Sequence, residues 1–410
     1  MIMENKCFLP RAIDLKDSEG CWLATYRFEP FLNRWFYVKP SMHGKIKLVN
    51  TENVPEEVLH IAEEGAFTPQ NCYSAPIKLQ IQLNTSCNYK CKMCYVSPEL
   101  KDKTLSIPIL SDLFQKAKEL GVLRVNFVGG EIFMRKDIKE VFSCAQSHKL
   151  LTSCITNGII PGARPEKYYD LFRSMYAVQV SCNGVGESYD SEHGGLGWSR
   201  AKHYIRETVN MSPSSILSYV ITRENVNDIP KFIEYAASVK PTIIKFGTVC
   251  WSGRSTNKGA YEYYSDTIIR GRELIKTARM NYPELQIQSQ LDDELGTPLW
   301  EDYLHGYRPY AFYFSPEGRD GLYVSAVGKI YPFPLLSDNP NFCVGSIHDD
   351  LMKIWSNSPI LQELRGVTFE NSACGKIHCD HPCGLWNRSY AIAWSGDAFG
   401  KVPCAKTNWK

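Results

Sequence analysis

The chemistry this chain can do concentrates in two groups of cysteines. The first lies in the run CNYKCKMC, with three residues between Cys87 and Cys91 and two between Cys91 and Cys94. Three thiolates on one short loop can hold a [4Fe–4S] cube with one iron left open, and an amino acid can chelate that iron through its amine and carboxylate. The same thiolates joined by a fourth His or Cys would close a zinc tetrahedron, and three buried thiols would need no metal. The second group is Cys374, Cys379, Cys383 and Cys404, three of them in the run CGKIHCDHPC. Four thiolates saturate a [4Fe–4S] cube and equally suit a structural zinc. His378 and His381 lie inside this run, but thiolates outcompete imidazole for iron–sulfur assembly. Cys7, Cys21, Cys72, Cys144, Cys154, Cys182, Cys250 and Cys343 are scattered, as small core hydrophobes are.

The elements that must position the first group are legible around it. Residues 77–83 alternate apolar and polar with period two, which predicts a strand ending just before Cys87. Leu110, Leu113, Phe114, Ala117 and Leu120 then recur at helical spacing before Gly121, which predicts a helix over 108–120. The pattern continues as strand 122–128, helix 137–147, strand 150–155, helix 165–176, strand 177–182, helix 199–210, strand 215–222, helix 227–239 and strand 242–249. Six strands alternating with helices imply parallel pairing through right-handed crossovers and a partial (β/α)6 barrel, with active residues at the strand C-terminal ends. The second strand runs into Gly129-Gly130-Glu131, where a ligand can approach the backbone closely. A helix near 259–280 leads toward a boundary near 305. Residues 71–304 are thus the barrel with its linking helix, and 305–410 are a Cys-rich C-terminal domain. Residues 1–70, bearing Phe28, Phe31, Trp35, Phe36 and Tyr37, stand outside the alternation as a small appendage.

A CxxxCxxC loop after the first strand and a Gly-Gly-Glu turn after the second resemble the radical S-adenosylmethionine (SAM) superfamily over residues 75–250. The resemblance implies that Cys87, Cys91 and Cys94 hold the cluster that cleaves SAM reductively to a 5′-deoxyadenosyl radical. It implies that Gly129, Gly130 and Glu131 contact the SAM amino group and that the backbone at Met93 contacts adenine. Asn157, Ser181 and Asn183, at the third and fourth strand ends, would face the ribose and methionine moiety. Relatives often have Asp at the position of Asn183, and Arg-Gly where this chain has His193-Gly194-Gly195.

Residues 305–410 resemble the SPASM or twitch extension, whose members carry auxiliary iron–sulfur clusters. Gly328-Lys329-Ile330-Tyr331-Pro332-Phe333 fits its strand turn, with Phe333 where a cysteine is usual. This implies one auxiliary [4Fe–4S] cluster on Cys374, Cys379, Cys383 and Cys404, with Cys343 either a substitute ligand or a core thiol. Enzymes of this type and length resemble maturases of ribosomally made peptides. That resemblance implies a precursor peptide as substrate, bound by residues 1–70, a flavodoxin- or ferredoxin-type electron donor, and an oxidative outcome such as a cross-link. A maturase of folded proteins, a small-molecule modifier, and a non-catalytic iron–sulfur or zinc protein are the competing readings.

The bulk numbers agree with a cluster enzyme. Lys and Arg number 46 against 44 Asp and Glu, which gives no electrostatic reason to expect nucleic acid. No apolar run is long enough to span a membrane, and the start Met1-Ile2-Met3-Glu4-Asn5-Lys6 has no signal-peptide pattern, so a cytoplasmic location is expected. In a reducing compartment, 15 cysteines point to metal ligation or buried thiols rather than disulfides.

Overall fold

The computed structural model describes residues 75–76, 78–96, 103–122, 124–160, 165–212, 214–249, 252–255, 261–290, 318–319, 321–367, 371–373 and 388–400, together with four N-terminal strands. These four, β1 (Ala12–Lys16), β2 (Trp22–Glu29), β3 (Arg34–Pro40) and β4 (Ile46–Asn50), form an antiparallel sheet in sequential order. Cys374, Cys379, Cys383 and Cys404 lie outside the described residues.

Six parallel strands follow in the expected alternation: β5 (Lys78–Gln82), β6 (Arg124–Val128), β7 (Leu151–Thr156), β8 (Ala177–Ser181), β9 (Ser215–Ile221) and β10 (Ile243–Thr248). Each is hydrogen-bonded to the next in sequence order. The helices between them span Ile107–Glu119, Ile138–Ser147, Tyr169–Ser174, Trp198–Met211 and Ile229–Val239. The helix expected over 165–176 is split, its first turn being a tighter 3-10 turn at Pro165–Tyr168. A further short helix, Glu187–His193, is absent from the sequence expectation. The long helix is Tyr261–Asn281.

Two additions extend this sheet. Strand β11 (Ile287–Ser289) pairs in parallel with β10 at one edge. At the other edge β12 (Gly321–Val324) pairs in parallel with β5, and β13 (Lys329–Tyr331) and β14 (Gly345–Ser346) follow antiparallel. Strands β12, β13 and β14 therefore belong to the same sheet as β5 to β10.

The strand period decides what faces where. On β5, Leu79 and Ile81 are fully buried, while Lys78, Gln80 and Gln82 take the opposite face, and β6 repeats this with Val125 and Phe127 against Arg124 and Asn126. The apolar face packs on the helices. Phe127 meets Phe142 edge-on at 4.8 Å and Phe114 at 6.0 Å, joining the strand to the helices on either side. The polar set thus lies on the face of the sheet away from these helices. No helix among the described residues is long and apolar enough to cross a membrane.

Candidate metal centre

The loop carrying the cysteine triplet leaves the C-terminal end of β5 and is clipped to its surroundings by main-chain atoms on three sides. On the first side, the Gly130 and Glu131 N–H groups donate to the Asn84 and Ser86 carbonyls, both at 2.8 Å. The Asn84 side chain returns a bond to the Glu131 carbonyl at 2.9 Å. On the second, the Lys90 and Lys92 N–H groups donate to the His193 and Glu192 carbonyls at 3.2 and 3.0 Å. On the third, the Arg254 N–H donates to the Cys94 carbonyl at 2.9 Å, and the Ser255 hydroxyl to the Lys92 carbonyl at 3.2 Å. The carboxylate of Asp338 accepts from Ser252 and from the Gly253 N–H, at 2.8 and 2.7 Å, and so steadies this last clip from the strand-extension side.

Cys87 is exposed and Cys91 and Cys94 are half-buried. Burial pushes the Cys91 thiol up to about 12, with the neighbouring thiols adding to the effect. Among the described residues, no three His, Cys, Asp or Glu side chains gather as ligands of a single ion. Cys87, Cys91 and Cys94 are among these residues, so the structure does not close the triplet around one ion. Cys343, the other candidate ligand described, is a half-buried thiol donating to the Gly345 carbonyl at 3.4 Å.

The Gly-Gly-Glu turn fits a closely held ligand. A Cβ on Gly130 would stand 2.3 Å from the Ser86 carbonyl oxygen, and one on Gly129 2.4 Å from the Asn84 side chain, so only glycine admits this approach to the loop. Glu131 is 1% exposed. One of its oxygens accepts from the Thr156 hydroxyl at 2.8 Å and the Phe133 N–H at 3.2 Å, and the other from the Asn157 N–H at 2.8 Å. Burial pushes its pKa up to about 7 against these donors. A hydrogen-bond donor brought to this carboxylate would favour its charged form.

That shift makes a stability prediction. The folded state holds the Glu131 proton up to about pH 7, whereas the unfolded chain releases it near 4.5, so stability is greatest below the lower value and falls as pH rises through the higher one. At about 1.4 kcal/mol per unit, the difference in unfolding free energy between wild type and Glu131→Gln should move by about 3 kcal/mol against wild type from acid to pH 8. Urea unfolding without SAM at several pH values measures it. A difference constant with pH would show that the carboxyl is not raised.

All the expected SAM contacts lie on the C-terminal side of β5 to β8. Met93 is buried with its sulfur 3.8 Å from the Asn183 amide nitrogen. The Asn183 side-chain oxygen accepts from the Val220 N–H at 2.8 Å, so this residue ties two strand ends together. Asn157 donates to Asn88 at 2.8 Å, and Asn88 donates to the Ile159 carbonyl at 3.1 Å, joining the cysteine loop to the end of β7. Ser181 ends β8, half-buried.

Sequence reasoning assigned no role to four contributors. Arg135 is buried, pairs with Asp137 through two bonds at 3.0 and 2.8 Å, and donates to the Leu83 and Leu105 carbonyls at 3.0 and 2.7 Å, stapling the end of β5. Arg254, Asp338 and His193 are the others. Burial pushes His193 down to about 3, so its ring is neutral.

A family model described as the Radical SAM superfamily matches residues 81–236. Among curated relatives, the PqqA peptide cyclase of Methylorubrum extorquens (strain PA1) is 26% identical over 351 residues, covering 83% of this chain and 88% of that protein. Among solved structures, Streptococcus suis SuiB bound to precursor peptide SuiA superimposes with a TM-score of 0.62 at 14% identity, over 92% of this chain and 96% of that one. anSMEcpe with bound AdoMet and Kp18Cys peptide gives 0.63 at 15% identity, over 80% and 94%. At such identities these two structures speak for a shared fold.

Proposed function

We propose that this chain, whose residues 81–236 match the Radical SAM superfamily model, is an enzyme that modifies a precursor peptide by SAM-derived radical chemistry. One observation carries the reading: the Gly-Gly-Glu turn is bonded through its main chain to residues 84–86, directly ahead of the CxxxCxxC loop. A cluster on Cys87, Cys91 and Cys94 and the amino-acid end of SAM would therefore share one rigid frame. When bound, the two would supply one-electron reductive cleavage of SAM and the hydrogen-abstraction chemistry that follows from it.

The residues around the loop bind, orient and exclude water. Glu131, its oxygens held by Thr156, Asn157 and Phe133, would accept a hydrogen bond from the SAM amino group. Gln80 and Gln179 carry amide donors and acceptors on the face of the sheet away from the helices, the groups a peptide backbone pairs with. A peptide substrate is supported by the peptide cyclase relative and by the shared fold of two proteins solved with peptides bound. Cys374, Cys379, Cys383 and Cys404 would hold an auxiliary [4Fe–4S] cluster with no open iron, which suits electron acceptance and an oxidative outcome such as a cross-link. A flavodoxin- or ferredoxin-type protein would deliver the first electron.

The test is metal content and turnover of anaerobically reconstituted protein. About eight irons per chain are expected, from a cube on each cysteine group, together with 5′-deoxyadenosine formation under reduction and a peptide product lacking two hydrogens by mass spectrometry. About four irons plus one zinc would assign the second group to a structural ion. Iron without any SAM turnover would support a non-catalytic binding protein instead.

A further inference from the structure

His193 ends the helix Glu187–His193 and is 1% exposed, its ring stacked on Tyr189 with centroids 4.1 Å apart. Its two nitrogens face different partners. Nε2 accepts the backbone N–H of Asn183 at 3.1 Å, and a ring nitrogen that accepts a hydrogen bond carries no proton. The proton of the ring is therefore on Nδ1, which lies 3.5 Å from the Cys91 sulfur. The Asn183 end of this chain is itself fixed, because its side chain accepts from the Val220 N–H at 2.8 Å.

We propose that His193 is a positioning residue that donates its Nδ1–H to the Cys91 sulfur and thereby raises the reduction potential of the cluster held by Cys87, Cys91 and Cys94. The inference rests on the reading of those three cysteines as cluster ligands. A hydrogen bond to a ligating sulfur stabilises the more negative, reduced cluster more than the oxidised one, so reduction becomes easier. The one electron comes from the external donor and stays on the cluster, and no bond of His193 is made or broken. A packing role alone does not need the proton on Nδ1. The Asn183 N–H imposes that tautomer, and the sulfur is what the resulting donor faces.

The test compares His193→Asn, His193→Gln and His193→Phe in the full chain, reconstituted without SAM and titrated electrochemically with detection of the reduced cluster by electron paramagnetic resonance. An Asn amide nitrogen falls near the position of Nδ1 and keeps the donor to sulfur, whereas a Gln amide falls near Nε2 and Phe keeps only the ring. Asn is expected to retain the wild-type potential. Gln and Phe are expected to be about tenfold harder to reduce, which is ~59 mV for a one-electron couple. Equal potentials in wild type, Asn and Gln, or a shift as large in Asn as in Gln, overturn the proposal. Loss of iron confined to the Asn and Gln variants overturns it too, since His193 would then be a structural prop. If the Phe variant does not fold, the Asn and Gln pair decides. Wild-type protein that assembles no cluster on the triplet counts against the three-thiolate reading instead.

Discussion

Replacing Cys87, Cys91 and Cys94 together with Ala is expected to reduce 5′-deoxyadenosine formation to background and, on the proposed reading of one cluster on each cysteine group, to halve the iron content. The physical reason is that these thiols contribute chemistry and little else. Cys87 is exposed and the other two half-buried, so each truncation costs on the order of 1 kcal/mol or less. The loop is held instead by its main chain, through the N–H groups of Lys90 and Lys92 and the carbonyls of Cys94 and Lys92, none of which a Cys→Ala change removes. The triple variant should therefore stay folded, which circular dichroism and thermal unfolding would register. SAM cleavage by this folded variant under reducing conditions would falsify the assignment of the open-iron cluster to the triplet.

The barrel was legible because its helices and strands are amphipathic at different periods. Strand β5 shows Leu79 and Ile81 between polar neighbours, and the helix Ile107–Glu119 buries Leu110, Leu113, Phe114 and Ala117, the spacing that marks it in the sequence. The helix Glu187–His193 was missed because the side chains it buries are Tyr189, Glu192 and His193, which give no apolar stripe. Its end is set by Gly194 in the left-handed conformation, φ 57°, in a segment that reads as a plain glycine turn. The pairing of β12 with β5 was beyond a sequence reading for a different cause. The register that sets Gly321 opposite Lys78 joins residues far apart in the chain, and no local period encodes it.

The site divides in the same way. Its candidate ligands and its glycine turn carry compositional signatures, whereas the groups that hold them do not. Asp338 and the Ser252-Gly253-Arg254-Ser255 clip sit in short loops, where a single polar residue has many ordinary uses, and only their convergence on Cys94 and Lys92 gives them meaning. Arg135 is similar. A buried arginine is recognised by the carbonyls and carboxylate around it, not by its neighbours in sequence.

Gly130→Ala is expected to weaken SAM binding at least tenfold, about 1.4 kcal/mol, in protein that still carries iron. The added methyl would lie 2.3 Å from the Ser86 carbonyl oxygen and 2.5 Å from that of Thr85, well inside contact distance. Both obstacles are main chain, so no rotamer change relieves them. Either the Gly-Gly-Glu turn or residues 84–86 must move, and the bonds from Gly130 N–H to Asn84 and from Glu131 N–H to Ser86, each 2.8 Å, are the ones stretched. Because those residues lead straight into Cys87, the movement would separate the Glu131 carboxylate, proposed to face the SAM amino group, from a cluster on the cysteine loop. Overpacking of this kind also costs about 1–3 kcal/mol of stability. Gly366→Ala is the control: a Cβ there meets nothing within 4 Å, and in the last turn of the helix Pro359–Gly366 alanine should be neutral or slightly stabilising. Equilibrium binding of SAM to the iron-loaded variants separates the two cases. Wild-type affinity in Gly130→Ala with full iron would show that the turn and the cysteine loop are not one frame, whereas weakened binding confined to that variant ties SAM recognition to the absence of a single methyl group.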